Sequence, residues 1–327
     1  MMKGVWLLNY REIPLIVIGG PTAVGKTALS IQLAKQFNGE IINGDSLQVY
    51  RTLDIGTGKA TVAERDGIPH HLLDLFEPHE VFDASRFKQL ATQAIVDIYQ
   101  RGKLPILVGG TGLYLEGLLY DLEFGGDNSQ HQAVKAELMQ LSQTMDEQAF
   151  WQLLNEKDPV AAEKIPYQNQ RRVLRALEVI ETTGQLFSAQ DRHQLQESVF
   201  DASILILDMP RDLLYERINR RVEMMIADGL EQEVYQLYQR YQGELINGAK
   251  GIGYKEWWPY FEGTLSKEAV VAMIQQNSRR YAKRQLTWFR NRFTDTHWLE
   301  SLNGGDDAFE LVQQHLKNNE ERRAKHD

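Results

Sequence analysis

The chain has 327 residues, a formal net charge of −9, no cysteine, and ordinary apolar and charged fractions of 43% and 25%. That length allows a large core and two domains, while the lack of cysteine excludes disulfides and thiolate chemistry and argues against a structural zinc site. No apolar run approaches the roughly 18 residues of a membrane span, and the apolar core of Met1 to Tyr10 is too short for a signal peptide, so a cytoplasmic protein is the expectation.

In chain order, Leu15 to Ile18 reads as a short buried strand, followed by a glycine loop and a helix to about Phe37. Gly20-Pro21-Thr22-Ala23-Val24-Gly25-Lys26-Thr27 fits the P-loop spacing, in which glycines let backbone N–H groups close around phosphate oxygens. The helix start adds unpaired N–H groups and a positive dipole end. Lys26 supplies a point charge and Thr27 a hydroxyl that can hold Mg²⁺. The loop predicts a di- or triphosphate ligand, such as ATP, without saying which. Glu40 to Asn43 reads as a second strand that leads into Asp45. In a doubly wound sheet, Asp45 then emerges beside the P-loop at the carboxyl ends of the strands, placed for a base or an Mg²⁺-linked group. Asp-Ser equally suits a helix or turn cap.

Asp54-Ile55-Gly56-Thr57-Gly58-Lys59 is a glycine loop near the same edge, and His70-His71 has no third ligand nearby, which favours packing or capping over a metal. Asp83 to Arg101 carries a helical apolar stripe closed by Gly102. Leu104 to Val108 reads as a strand, but it ends in Gly109-Gly110-Thr111-Gly112 and not in the aspartate of a motor or switch NTPase. From Phe124 to about Val199 the chain is polar, Gln-rich and helical, which predicts a helical insertion carrying Arg171, Arg172 and Arg175. Ser203 to Asp208 is a further strand, and the helix after it sets Arg217 and Arg221 on one side at i,i+4. Lys250-Gly251-Ile252-Gly253-Tyr254-Lys255 precedes a long basic helix from about Lys267 through Phe289. Its cations, Lys283 and Arg284 among them, make a local basic surface on an acidic chain. For Trp257, Trp258 and Trp288, core packing is favoured over base stacking. The tail after Asn303 carries little signal.

Taken together, several stretches resemble the tRNA dimethylallyltransferase, or tRNA isopentenyltransferase, family of bacterial type. They are the P-loop; Asp45-Ser46-Leu47-Gln48-Val49-Tyr50-Arg51 with Asp54 to Thr57; Pro69 to Asp74; Leu107 to Tyr114; Arg175 to Val179; Gly251 to Tyr254; and Lys283 to Arg290. They occur in family order from residue 15 to about 298. Departures are small. Asn43-Gly44 precedes Asp45, Gly58-Lys59-Ala60 replaces Ala-Lys-Pro, and Lys135 stands where an arginine is usual and cannot reproduce a bidentate fork.

The resemblance implies a P-loop NTPase-like α/β core, with a parallel sheet flanked by helices, over 1–123 and 200–327, and an all-helical insertion over 124–199. It implies transfer of a dimethylallyl group from dimethylallyl diphosphate to the exocyclic amine of the adenosine 3′ of a tRNA anticodon, with Mg²⁺ on Thr27. Catalysis falls to Lys26, Asp45, Thr111 and Arg221, with residues 20–27 holding the diphosphate. tRNA contacts fall to Asp45, Ser46, Leu47, Gln48, Thr111, Lys135, Arg171, Arg172, Val173, Leu174, Arg175, Lys250, Gly251, Ile252, Gly253, Tyr254, Lys255, Lys283 and Arg284. A monomer is expected. The rivals are a prenyltransferase acting on free adenylate, a small-molecule P-loop kinase and a non-catalytic RNA-binding module.

Overall fold

A computed structural model describes residues 9–122, 129–190, 197–301 and 305–325. The chain divides into two compact units, one of Met1–Leu122 with Glu197–Asp327 and one of Glu123–Gln196. The first unit is built on a six-stranded sheet: β1 (Pro14–Gly19), β2 (Gly39–Asn43), β3 (His70–His71), β4 (Leu104–Val108), β5 (Asp201–Asp208) and β6 (Thr296–Glu300). The spatial order is β3-β2-β4-β1-β5-β6, and all neighbours are parallel. Parallel strands covered on both faces need near-continuous apolar runs. Ile16 and Ile18 of β1, Ile106 of β4 and Leu205 of β5 are accordingly buried.

The order reverses about β1, with β4 and β2 on one side and β5 and β6 on the other. Ligands of such sheets sit outside the carboxyl ends of the strands at this reversal. Here those ends carry the P-loop after β1, Asp45 after β2 and the 109–112 loop after β4. Asp83 caps the helix Ala84–Gln100 by accepting from the Arg86 N–H. The long basic helix runs Lys267–Arg292, capped by Ser266. A second core beneath the 250–258 segment packs Tyr50, Tyr254, Trp257 and Trp258.

Two elements were not expected from the sequence. β6 buries only Leu299 of its five residues, so it lacks an apolar run. The helix Gly305–Arg323 buries Ala308 and Val312 in the sheet core, with Phe309, Leu311 and Leu316 partly buried against it. His71 is also explained. Its Nε2 lies 2.7 Å from the buried Glu40 carboxylate, which Arg101 grips bidentately at 2.5 and 2.8 Å. Arg101 and then His71 hold the Glu40 pKa down at about 2 against the opposing effect of burial. His71 therefore pins an edge strand.

In the second unit, the helices Ser129–Thr144, Glu147–Lys157, Pro159–Lys164 and Gln170–Thr183 enclose their own core around Phe150, Leu154, Ala161, Val173 and Leu177. Asp158 caps the third of these, with Pro159 in its first turn, and Gly184 closes the fourth at φ 68°. Residues 124–128, where the insertion is expected to begin, and 191–196 lie outside the described residues. Among the described residues, no helix is long and apolar enough to cross a membrane.

Candidate active site

The P-loop wraps from Gly20 (φ 136°) through Ala23 (φ 65°) to Gly25 (φ 108°). A side chain at Gly20 would meet the Leu207 carbonyl at 2.6 Å. The helix Lys26–Gln36 starts at Gly25 with no side-chain cap, so its first N–H groups are open to an anion. The Lys26 ammonium donates to the carbonyls of Gly20 (3.0 Å) and Pro21 (2.6 Å). Burial, and then the Arg221 cation, push its pKa down to about 7, while Asp45 acts in the opposite sense. Thr27 is exposed in the first turn of this helix.

A cleft of about 790 Å³ opens over the loop. Thr22 to Thr27, Asp45, Arg217, Arg220, Arg221, Tyr281 and Gln285 are among its walls. Four cations thus face one space on a chain whose net charge is −9. A second cleft of about 400 Å³ is lined by Leu47, Ile218, Val222, Met225, Ile252 and Ile274 together with Lys250 and Arg284. Asp45, Arg221 and Tyr281 line both clefts.

Asp45 meets both sequence readings at once. Its Oδ1 accepts from the N–H of Leu47 (2.8 Å) and Gln48 (3.3 Å), which is the turn cap. Its Oδ2 receives no protein hydrogen bond among the described residues. Asn43, buried behind it, accepts the Asp45 N–H and anchors to the Leu72 carbonyl. Arg221 donates to the Gly58 carbonyl at 3.4 Å, and Arg217 to Ala23 of the P-loop at 3.1 Å.

Thr111 caps the helix Gly112–Leu119 by position, yet its hydroxyl makes no cap bond. The oxygen is buried without a hydrogen-bond partner of good geometry, beside the Tyr281 phenol. Thr111 itself lines neither cleft; Tyr281 lines both. Burial, and then Asp45, push the Tyr281 pKa up to about 12, so it remains a neutral donor.

Sequence reasoning missed Asn43, Tyr281, Gln285 and Glu233. The Glu233 carboxylate accepts the N–H groups of Asp54, Ile55 and Gly56 and the Tyr254 hydroxyl, fixing the 54–57 loop. Only Tyr281 and Gln285 carried a signal, their i,i+4 spacing on the basic helix.

The residues assigned to tRNA separate by exposure. Lys250, Lys255, Lys283 and Arg284 are exposed on the first unit, and Lys135, Arg171, Arg172 and Arg175 on the second. Leu47 packs under Gly251, and Gln48 donates to the Thr57 carbonyl. Ser46, Ile252 and Gly253 line the second cleft. Three of the assigned residues serve packing: Tyr254 is fully buried in the first unit, and in the second unit Val173 is fully buried and Leu174 partly buried in that unit's own core. Contact with RNA at Tyr254 or Val173 would have to use the backbone.

With this geometry in view, the sequence profile of the family described as IPP transferase matches residues 48–292. The chain is 48% identical over 301 residues to the tRNA dimethylallyltransferase of Limosilactobacillus reuteri, covering 91% of this chain and 96% of that one. This chain belongs to the IPP transferase family. The crystal structure of a tRNA delta(2)-isopentenylpyrophosphate transferase from Staphylococcus epidermidis superposes with a TM-score of 0.68 at 42% identity, covering 92% of this chain and 99% of that one. A eukaryotic dimethylallyltransferase acting on tRNA gives 0.77 at 33% identity, covering 88% and 74%. Within the IPP transferase family, P-loop and sheet order in this chain fit that shared α/β architecture.

Proposed function

We propose that this chain transfers a dimethylallyl group from dimethylallyl diphosphate to the exocyclic amine of the adenosine 3′ of a tRNA anticodon, releasing diphosphate. The observation that carries this reading is Asp45 lining both a cation-lined phosphate cleft and a second cleft walled in part by Leu47, Ile218, Val222 and Ile252. The amine attacks the first prenyl carbon, the carbon–oxygen bond breaks, and its electron pair leaves with the diphosphate. Asp45 Oδ2 accepts the amine proton. Lys26, the loop N–H groups and Arg221 stabilise the charge that grows on the leaving oxygens. Tyr281, backed by the buried Thr111 hydroxyl, orients the base, which must leave its stack to enter.

Mg²⁺ fits this cleft. Among the described residues no cluster of acids and histidines could hold a metal by itself, but the Thr27 hydroxyl lines the phosphate cleft. Mg²⁺ commonly takes few protein ligands and completes its shell with phosphate and water. When bound, it would add charge neutralisation on the leaving group. The reading puts the protein in the cytoplasm. Both clefts are lined within one unit of one chain, which supports action as a monomer.

The test is nucleoside mass spectrometry after incubation with Mg²⁺, dimethylallyl diphosphate and either unmodified tRNA or AMP. Prenylated adenosine from tRNA supports the reading. Product from AMP alone moves the acceptor to a free nucleotide, and no product in either tube ends it.

Two further results are expected. Lys283→Ala with Arg284→Ala should weaken tRNA binding and reduce the slope of log K against log salt by roughly one to two units. A wild-type slope would return both residues to plain surface. Separately, burial and then Arg221 push the Lys26 pKa down to about 7, so an anion that requires its charged form must protonate it above that pH. Binding of inorganic diphosphate at pH 8 should take up about one proton, and affinity should fall as pH rises past 7. Calorimetry in two buffers of different ionisation enthalpy measures the uptake, and Lys26→Met should abolish it.

A further inference from the structure

Gln285 lies 5% exposed on the long basic helix, and both ends of its amide are used. Its Oε1 accepts the Thr22 N–H of the P-loop at 3.0 Å. Its Nε2 donates to the Gly110 carbonyl at 2.9 Å. The chemistry fixes the orientation: a backbone N–H can only donate and a carbonyl can only accept, so a neutral amide satisfies both and a carboxylate cannot. The β1–β4 ladder already ends with the Gly109 N–H on the Ile18 carbonyl. Beyond that point, this side chain directly links the P-loop to the loop leading into Thr111.

The surroundings are built for the contact. A Cβ at Gly110 would fall 2.1 Å from Gln285 Nε2, and one at Gly112 would fall 2.3 Å from the Trp288 ring. The close approach allowed by these glycines is therefore that of the helix Lys267–Arg292. One turn before Gln285, on the same face, Tyr281 lies beside the Thr111 hydroxyl and lines both clefts.

We propose that Gln285 is a positioning residue that sets the phosphate loop in register with the Thr111 loop, so that the prenyl carbon and the acceptor amine meet in line. The proposal rests on the prenyl-transfer reading above. Misplacement of reacting groups by about 1 Å can cost roughly a hundredfold in rate without loss of binding. Gln285→Leu removes both bonds at similar volume. Gln285→Glu keeps the acceptor toward Thr22 and sets a carboxylate against the Gly110 carbonyl.

The experiment measures kcat for prenylation of unmodified tRNA, with Kd for tRNA and for inorganic diphosphate, in the wild type, the two Gln285 variants, Thr111→Val and the double variant Gln285→Leu/Thr111→Val. Both Gln285 variants should lose about thirtyfold to a hundredfold in kcat, with both Kd values within about threefold. The double variant should be no more than about threefold slower than the slower single, because residues acting as a unit are not additive. A Gln285→Leu kcat within threefold of wild type overturns the assignment. So do losses that multiply in the double variant, or a kcat loss matched by lost diphosphate binding. If Gln285→Leu does not fold, as judged by its thermal midpoint, Gln285→Glu carries the same criteria. A wild type that fails to prenylate tRNA removes the activity reading and this inference together; an active wild type with indifferent variants removes only the inference.

Discussion

Replacing Asp45 with Asn should slow transfer by about a hundredfold or more while tRNA binding changes by no more than a few-fold. Asparagine can still accept from the Leu47 and Gln48 N–H groups through its amide oxygen, so the turn that Asp45 Oδ1 caps is kept. What it loses is the proton acceptor at the second oxygen, which has no protein partner among the described residues. Tyr281 cannot substitute, since burial, the larger cause of its raised pKa, persists in the variant and keeps the phenol protonated. Asp45→Ala should be slower still to the extent that the cap matters, and comparing the two variants separates chemistry from loop geometry. Single-turnover rates with saturating tRNA provide the measurement. An Asp45→Asn rate within about threefold of wild type would remove Asp45 as the base.

Arg221→Ala should cost roughly a hundredfold to a thousandfold in turnover, the range seen when one donor aimed at developing charge is removed. Arg221 lines both clefts, and its side chain shares a charged neighbourhood with Asp45 and Lys26. Arg221→Lys should recover only part of the rate, because a point charge cannot reproduce the planar fork. The same cation depresses the Lys26 pKa. Removing it should therefore raise that pKa and shrink the proton uptake on diphosphate binding at pH 8. An indirect test is available at Gly58, where a Cβ would fall 1.7 Å from the Arg221 guanidinium and φ is +58°. Gly58→Ala should displace the guanidinium and give a weaker version of the Arg221→Ala profile, about tenfold in kcat. Wild-type turnover in Arg221→Ala would show that the loop N–H groups and Lys26 suffice.

The electrostatic arrangement explains how an acidic chain can act on polyanions. Arg280, Lys283 and Arg284 lie exposed on one helix with no carboxylate within 4.0 Å among the described residues, whereas Arg290 is neutralised by Asp208 at 2.9 Å. Asp208 itself caps the end of β5 through the Met209 N–H. It is thereby occupied as a structural group, the reading its Asp-x-Pro context favours.

The sequence by itself determined the elements whose signal is local. The apolar runs of β1, β2, β4 and β5, the P-loop spacing and the Asp83-capped helix follow from short-range sterics, burial and hydrogen bonding. They were legible for that reason, and with them the α/β class. The ordered motifs also carried the family resemblance, which points to Asp45, Thr111 and Arg221. Only the tertiary structure decided what lies between elements distant in sequence. Gln285 reaches Thr22 across 263 residues and Glu233 reaches Ile55 across 178, and no periodicity encodes such pairings. β6 was invisible because it buries only Leu299, and the last helix was obscured because its apolar stripe around Ala308 and Val312 sits in a strongly polar, charged tail. Tyr254 entered the RNA-contacting set through the family resemblance; the fold buries it, because its ring packs on Gly56 and its hydroxyl is needed by Glu233.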